Sequence, residues 1–510
     1  MHRKWWTLLA VCLATFMLLL DITIVNVALP DIARDLDAGF SDLQWVIDAY
    51  ALMLAALLLT AGSLADLRGR RRIFALGLVS FTFASVLCAL APSALVLILA
   101  RGAQGIGGAA MFSTSLALLA QEFHGRERGT AFGIWGATTG AAVAIGPLVG
   151  GALTDGLGWP SIFYLNVPIG IATLAITLRR LPESRDEEAG AIDWAGLMTF
   201  SAALFLLVFG LIRGNEEGWG SPLIVTLFVG SALLLALFIA VERRQPRPMF
   251  DLSLFRNRTF AGGSIAAFAL SASMFAMFLY LTLYLQTILD YGPLETGLRF
   301  LPVTLLSFVA AAVSGKLTAQ LPARALLGGG LVLVGIGLLL MRGLDAASDW
   351  TALLPGFLVA GVGIGTINPS IANAAIGVVA PARSGMASGI SSTFRQVGIA
   401  TGIAGLGAIF QSQVTHRLTS ALADTPGAGR SGGLAHAVSA GGAPQAIAHA
   451  PVSSRPRLEQ AIHAAFTAAL NDILLVAAVV AIVGGLLALA LVRSSDFVAQ
   501  GAPQAEPAAA

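Results

Sequence analysis

Charge is scarce in this chain. Asp, Glu, Lys and Arg make up 11% of its 510 residues, 56% are hydrophobic, and the net charge is +2. A soluble protein of this length needs a far more charged surface, and so small a balance suggests no affinity for nucleic acid. Cysteine is nearly absent. Cys12 and Cys88 fall inside apolar runs and read as packing residues, so no disulfide framework is expected. The six His and two Cys form no convergent nucleophile, metal or acid–base set, which argues against an enzyme. His416, His436, His449 and His463 cluster in one loop, but zinc capture is not their expected use. No metal and no cofactor is expected.

What the chain does have is long apolar runs. Segments able to cross about 30 Å of hydrocarbon lie near 6–29, 43–64, 73–91, 95–120, 130–154, 160–178, 194–212 and 222–240. They continue near 259–288, 296–315, 324–342, 350–377, 384–411 and 470–492, fourteen in all. Lipid offers the backbone no hydrogen bonds and the runs lack the alternation of a barrel, so each is predicted to be a helix. Met1-His2-Arg3-Lys4 before an apolar run is superficially like a signal peptide. The run is too long, carries Asp21 and has no small-x-small cleavage site, so it reads as a retained first span.

Cations orient the spans. With the N-terminus inside, Arg68, Arg70, Arg71, Arg72, Arg126, Arg128, Arg179 and Arg180 join most other loop cations on the cytoplasmic side. An even number of spans then puts both termini in the cytoplasm. A repeat supports the arrangement: Gly129, Ala131, Gly133 and Ile134 recur as Gly385, Ala387, Gly389 and Ile390, and Gly105-Ile106-Gly107 as Gly361-Val362-Gly363, all at an offset of 256. Gly62-Ser63-Leu64 recurs as Gly315-Lys316-Leu317 at an offset of 253, so span 2 maps onto 10, 4 onto 12 and 5 onto 13, and two parallel six-helix repeats flank two extra helices. The expected architecture is 6+2+6. Its parts are a first half over 1–180, inserted spans over 181–258, a second half over 259–495 and a disordered cytoplasmic tail over 496–510. The second half includes an outer loop, 412–469, of linker composition, with an Ala-rich stretch at 457–469 suited to a short helix.

Against this apolar background the charged residues stand out. An ionised carboxylate at bilayer depth costs several kcal/mol and usually faces a cavity, a partner or a proton path. Asp21 lies about 12 Å below the outer surface at 1.5 Å per residue, Arg101 about 9 Å and Asp48 about 8 Å. These three are the candidates for proton coupling, with simple reach to the headgroups as the bland alternative for Asp48 and Arg101. Asn26, Gln104, Arg395 and Gln396 are candidates for the substrate cavity; Arg395 sits near mid-membrane, placed to bind an anion or pair with an acid. In the loop from Gly62 to Arg72, Asp66 is a candidate gate that holds a neighbouring helix start or an Arg in one conformation and releases it in the other. Gly62, Gly69, Arg70 and Arg71 are grouped with it. In span 5, Gly146, Pro147 and Gly150 permit close helix approach and a bend, either as plain packing or as a moving interface.

These residues resemble one family. The run from Asp21 to Pro30, the Gly62–Arg72 loop, Arg101 with Gln104 and Gly105, Gly140–Gly151, Asn166-Val167-Pro168-Ile169-Gly170 and Ser384–Gly398 are similar to the motifs of the major facilitator superfamily. Within it they resemble the fourteen-span drug:proton antiporters of the QacA/EmrB type. Two departures stand out: Trp159-Pro160-Ser161 replaces a Trp-Arg-Trp pattern, and Ala319 stands where the partner loop has Asp66. The resemblance implies export of small amphipathic drugs or antibiotics against protons by alternating access, from a bacterial cell membrane, by a chain expected to be monomeric. Export of one endogenous metabolite and proton symport stay open beside it, as does, outside transport, a non-transporting membrane receptor.

Overall fold

The structure is a computed structural model. It describes residues 3–497 except 39, 124, 186–192, 246–249, 251, 318–320, 346, 380–383 and, in the loop before the last helix, 423–433, 435–437, 439–446 and 448–453. The helices run in the order α1 (Arg3–Asp35), α2 (Phe40–Arg68), α3 (Arg70–Ala89), α4 (Ala94–Glu122) and α5 (Gly125–Leu157). α6 (Pro160–Arg180) is broken only at Leu165. α7 (Trp194–Glu217) and α8 (Pro222–Glu242) follow, then α9 (Arg258–Ile288), α10 (Pro293–Leu317), α11 (Ala323–Leu340), α12 (Leu354–Ile376), α13 (Ser384–Leu422) and α14 (Arg455–Leu491). Among the described residues no strand occurs.

Thirteen of these helices are long and apolar enough to cross a membrane. The remaining one is α5. Its run of Gly, Ala and Thr leaves Leu148–Leu157 as its described apolar stretch, yet it is 33 residues long and packs between α1 and α10. Leu76, Phe83, Leu99, Leu233, Leu305 and Leu486 are among the large apolar side chains that point outward, as a hydrocarbon solvent requires.

Local chemistry sets the helix boundaries. Ser93 accepts from the Val96 amide to start α4, and Asn257 accepts from Thr259 and Phe260 to start α9. Between α2 and α3 the chain turns at Gly69, whose φ of 112° is open to glycine and strained for other residues.

Two halves repeat the same packing. α4 lies against α2 and α3 in the first half, α12 against α10 and α11 in the second. A Cβ on Gly107 of α4 would come within 2.6 Å of the Phe81 amide, and one on Gly363 of α12 within 2.6 Å of the Gly330 carbonyl. The repeated glycines are therefore the places where backbones touch. Between halves the pairing is crosswise: α5 packs on α10 and α13 on α2. The inserted α7 and α8 pack on each other, and α7 also lies on α2 and α13, beside that seam. It is tied to the first half by a 2.7 Å bond between the Thr60 and Ser201 hydroxyls, and to the second by Asn215 donating to the Ala404 carbonyl at 3.1 Å.

The expected outer loop is shorter than 412–469. α13 continues to Leu422, and the Ala-rich stretch is not a separate short helix but the first turns of α14, which starts at Arg455. Both extensions have a physical reason: good helix formers continue the ladder past the membrane, and Arg417 bonds Asp472 at 2.8 Å across the pair. Asn471 also caps the loop after α11, accepting from the Gly343 and Leu344 amides.

Candidate functional site: a buried ion pair and a closed end

Asp21 is 1% exposed, in the middle of α1, and its carboxylate is saturated with donors. Arg101 of α4 donates through NH1 to Oδ2 in a short ion pair. Oδ1 accepts from Gln104 Nε2 at 3.1 Å and from Asn166 Nδ2 of α6 at 2.8 Å. The guanidinium is held in turn: Nε donates to the Val46 carbonyl of α2 at 3.1 Å, and NH1 also donates to Gln104 Oε1 at 2.8 Å. Ser85 of α3 accepts from Gln104 at 2.7 Å and from Asn166 at 3.2 Å. The Arg101 guanidinium lies 4.4 Å from the centre of the Tyr50 ring, a cation–π distance. One acid thus ties α1, α4 and α6 directly, and α2 and α3 through its partners.

Such a pair is a two-sided device. Burying both charges is costly, and the cost is offset only while the geometry and the extra hydrogen bonds are kept. Protonation of Asp21 removes the attraction and leaves the cation, so the two protonation states favour different packing of the same helices.

The sequence candidates divide around this cluster. Asp21 and Arg101 meet. Asp48 does not share their face: it is half-buried two residues from both Val46 and Tyr50, so a period of about 3.6 residues turns it the other way, toward Trp45 and Leu52. Those two pack with Val208 and Ile212 of α7 and Ala400 of α13. Gln104, expected in a substrate cavity, lies wholly inside the ion-pair cluster, because it follows Arg101 by three residues on the same side of α4. The Asn26 and Pro147 side chains lie outside the described residues. Asn166, Ser85 and Tyr50 were not expected there, since neutral residues in apolar helices announce nothing without a partner.

A second polar site lies in the other half. Arg395 of α13 is 9% exposed, donates to Asn368 Oδ1 of α12 at 3.3 Å and lies 5.7 Å from the Phe275 ring. Phe275 ends a π-helical turn at Ser271–Phe275 that interrupts α9. Beside it, Thr139 and Gly140 of α5, Phe278, Ser307 and Asn368 line a cleft with about 20 Å³ of free space. That admits a water and nothing of drug size. Gln396 follows Arg395, half-buried.

The helix ends near Asp66 are closed. Asp66 Oδ2 accepts from the Met386 amide in the first turn of α13 at 2.7 Å, while Oδ1 accepts from Arg70 Nε at 2.9 Å. An acid here meets the exposed amides of a helix start, where negative charge is favoured. Arg383 lies outside the described residues. Gly62 is buried one turn earlier on α2. The loop after α6 completes the closure: Arg71 donates its amide to Glu183 at 3.0 Å and its NH1 to the Leu181 carbonyl at 3.2 Å, and Arg70 donates its amide to Ser184. Glu183 was not a candidate; its position among α3 amides depends on how α6 returns to α3. Ala372, Ala375 and Ile376 at the end of α12 enter the core of the first half with Phe132 and Leu119.

Gly146 and Gly150 meet a neighbour in their own half. Both face α1 within the same half; a Cβ on Gly150 would meet Ile24 at 2.9 Å, and one on Gly146 would collide with Thr23. α5 meets the other half through Gly129 and Gly133, against Gly315 and Ala311 of α10. The small-residue spacing is the same on each face, so spacing alone does not say which neighbour it serves.

A helical membrane bundle of two like halves, with a buried ion pair in one and a closed interface between them, is the architecture of a transporter. The model of the Major Facilitator Superfamily matches residues 11–403, and the chain belongs to that superfamily. It is 38% identical over 413 residues to the multidrug resistance protein Stp of Mycobacterium tuberculosis, covering 81% of this chain and 77% of that one. It is 33% identical over 499 residues to the tetracenomycin C resistance and export protein of Streptomyces glaucescens, covering 96% and 91%. The puromycin resistance protein pur8 of Streptomyces alboniger is 37% identical over 408 residues, covering 79% and 81%. The fold also matches the crystal structure of the human organic anion transporter MFSD10 with a TM-score of 0.62 and 16% identity, covering 94% of this chain and all of that one.

Proposed function

We propose that this protein exports small amphipathic drugs or antibiotics from a bacterial cell in exchange for protons, by alternating access. The observation that carries the reading is the buried Asp21–Arg101 pair: an acid this buried, bonded to three side chains on two other helices, couples its own protonation to how those helices pack. The relatives named for drug resistance and export supply the cargo class and the direction. The cleft between Phe275, Phe278 and Asn368, with Arg395 beside it, is where we place the substrate, after widening.

The Asp66 end takes the cytoplasmic side in this reading, as the loop cations require. The conformation is then one closed to the cytoplasm, and Asp66 holds it closed. Asp66→Asn should keep expression and substrate affinity but weaken this closure. A lost contact of about 1.4 kcal/mol changes the ratio of the two states about tenfold. A cysteine placed at Ala372, buried here between the halves, should therefore be labelled several-fold faster in the Asp66→Asn background. Labelling at the control rate with transport lost would make Asp66 a folding residue.

The function itself is tested in proteoliposomes with an imposed pH gradient and a panel of cationic and neutral amphipathic drugs. Drug movement opposite to the proton gradient, abolished by a protonophore, is the expected result. Drug movement indifferent to the gradient would refute proton exchange, and activity toward one compound alone would favour a dedicated exporter.

A further inference from the structure

The buried cluster contains one polar atom that the ion pair does not use. Tyr50 is 2% exposed, and its hydroxyl has no hydrogen-bond partner among the described residues. It lies in an apolar spot: a Cβ on Gly108 would come within 3.3 Å of it, and Leu54 and Leu18 flank the same glycine. An orphaned phenol in such surroundings is costly, because its bonds to water are lost and nothing replaces them. Phenylalanine would fill the space without that cost. The ring itself has a use, since it carries the Arg101 guanidinium on one face at 4.4 Å and meets Phe81 edge-on at 6.5 Å. The hydroxyl is idle.

It is idle in this state. When a proton binds Asp21, a new O–H bond forms on the carboxylate and the charge attraction to Arg101 ends. No proton leaves Arg101. Its guanidinium keeps the Val46 carbonyl and Gln104 Oε1, but the N–H group that pointed at Asp21 Oδ2 is left with a neutral carboxyl, a much weaker acceptor than the carboxylate. A cation left short of acceptors in a low-dielectric interior is strongly disfavoured. The guanidinium already lies over the Tyr50 ring, and the hydroxyl at that ring's end holds unused lone pairs.

We propose that the Tyr50 hydroxyl accepts the Arg101 guanidinium when Asp21 is protonated, which makes Tyr50 a positioning residue of the proton step. The inference rests on the proton-coupled reading above. The titratable and charged groups facing the cluster are Asp21 from α1, Tyr50 itself on α2, Cys88 from α3 and Arg101 from α4; α6 supplies the neutral Asn166. α7 and α13 pack on the other side of α2, toward which Asp48 turns. Tyr50 thus stabilises the released cation, first through the ring face and then through the hydroxyl oxygen.

Tyr50→Phe separates the two contributions, because it keeps the ring and removes only the oxygen. The full-length variant, reconstituted in proteoliposomes, should melt at the wild-type temperature or slightly above, since the hydroxyl bonds nothing here. Drug affinity should be unchanged. The maximal rate of gradient-driven export should fall about tenfold, the worth of one hydrogen bond near a charge. The pH of half-maximal exchange should move to more acid values, since protonation of Asp21 then releases a cation with one acceptor fewer. A wild-type rate and pH profile would overturn the proposal. So would a fall in melting temperature and rate with the pH profile unchanged, which would make the hydroxyl structural. Gradient-driven export by an Asp21→Asn variant would instead overturn proton coupling itself. An inactive Asp21→Asn variant beside a normal Tyr50→Phe variant would remove this inference and leave that reading intact.

Discussion

Asp21→Asn should abolish gradient-driven export, to below about one hundredth of the wild-type rate, the usual worth of a positioned proton carrier, while the protein still reaches the membrane. The amide keeps the size of the carboxylate and fits the same space on α1. It fails in two ways. It cannot take up and release a proton, and it cannot accept on both of its terminal atoms as Asp21 does from Arg101, Gln104 and Asn166. One of those donors must turn away or face another N–H. Substrate binding should survive, because the cleft lined by Phe275, Phe278 and Asn368 shares no residue with the Asp21 cluster. Radiolabelled drug exchange without a gradient, measured beside gradient-driven export, checks both statements. Equal gradient-driven rates in variant and wild type would remove Asp21 from coupling.

The second large effect belongs to Arg101. Arg101→Ala leaves Asp21 buried with two amide donors and no cation, and breaking a buried pair from one side costs about 3–5 kcal/mol. The variant should therefore lose both transport and thermal stability in detergent. A double variant, Asp21→Asn with Arg101→Ala, removes both charges and should melt closer to wild type than Arg101→Ala alone. Because both residues act in one network, the two losses should not add. A single variant as stable as wild type would mean that water or another group reaches Asp21, contrary to its burial.

Asp21 and Arg101 were legible in the sequence because charges inside apolar runs carry their own warning, and depth arithmetic put them at one level. The same arithmetic put Asp48 there too, but depth carries no direction: whether a residue faces α4 or α7 depends on how α2 is rotated, which its neighbours decide. Asp66 was legible because an acid at a helix end before a tight glycine turn has few uses. Glu183 was not, since its partners at the start of α3 are far away in sequence and come close only when α6 returns. The halves showed themselves through glycines recurring at one offset, and these proved to be the backbone contacts of α4 and α12. Gly146 and Gly150 have the right spacing for a close approach, but the identity of the approaching helix, α1, is a tertiary fact. The ends of α13 and α14 were misjudged because hydropathy stops where hydrocarbon stops, whereas helix propensity and the Arg417–Asp472 pair continue beyond it.

The side chain of Asp21 has no exposed surface at all. A carboxylate reached by a standing file of water would let protons trickle across the membrane whenever the cell is idle, and the gradient would drain without work being done. In the proposed reading, an acid sealed this way exchanges its proton only when helices move apart to admit water. A carrier built this way would be electrically silent at rest, so that a cell could hold many copies of it without a background conductance.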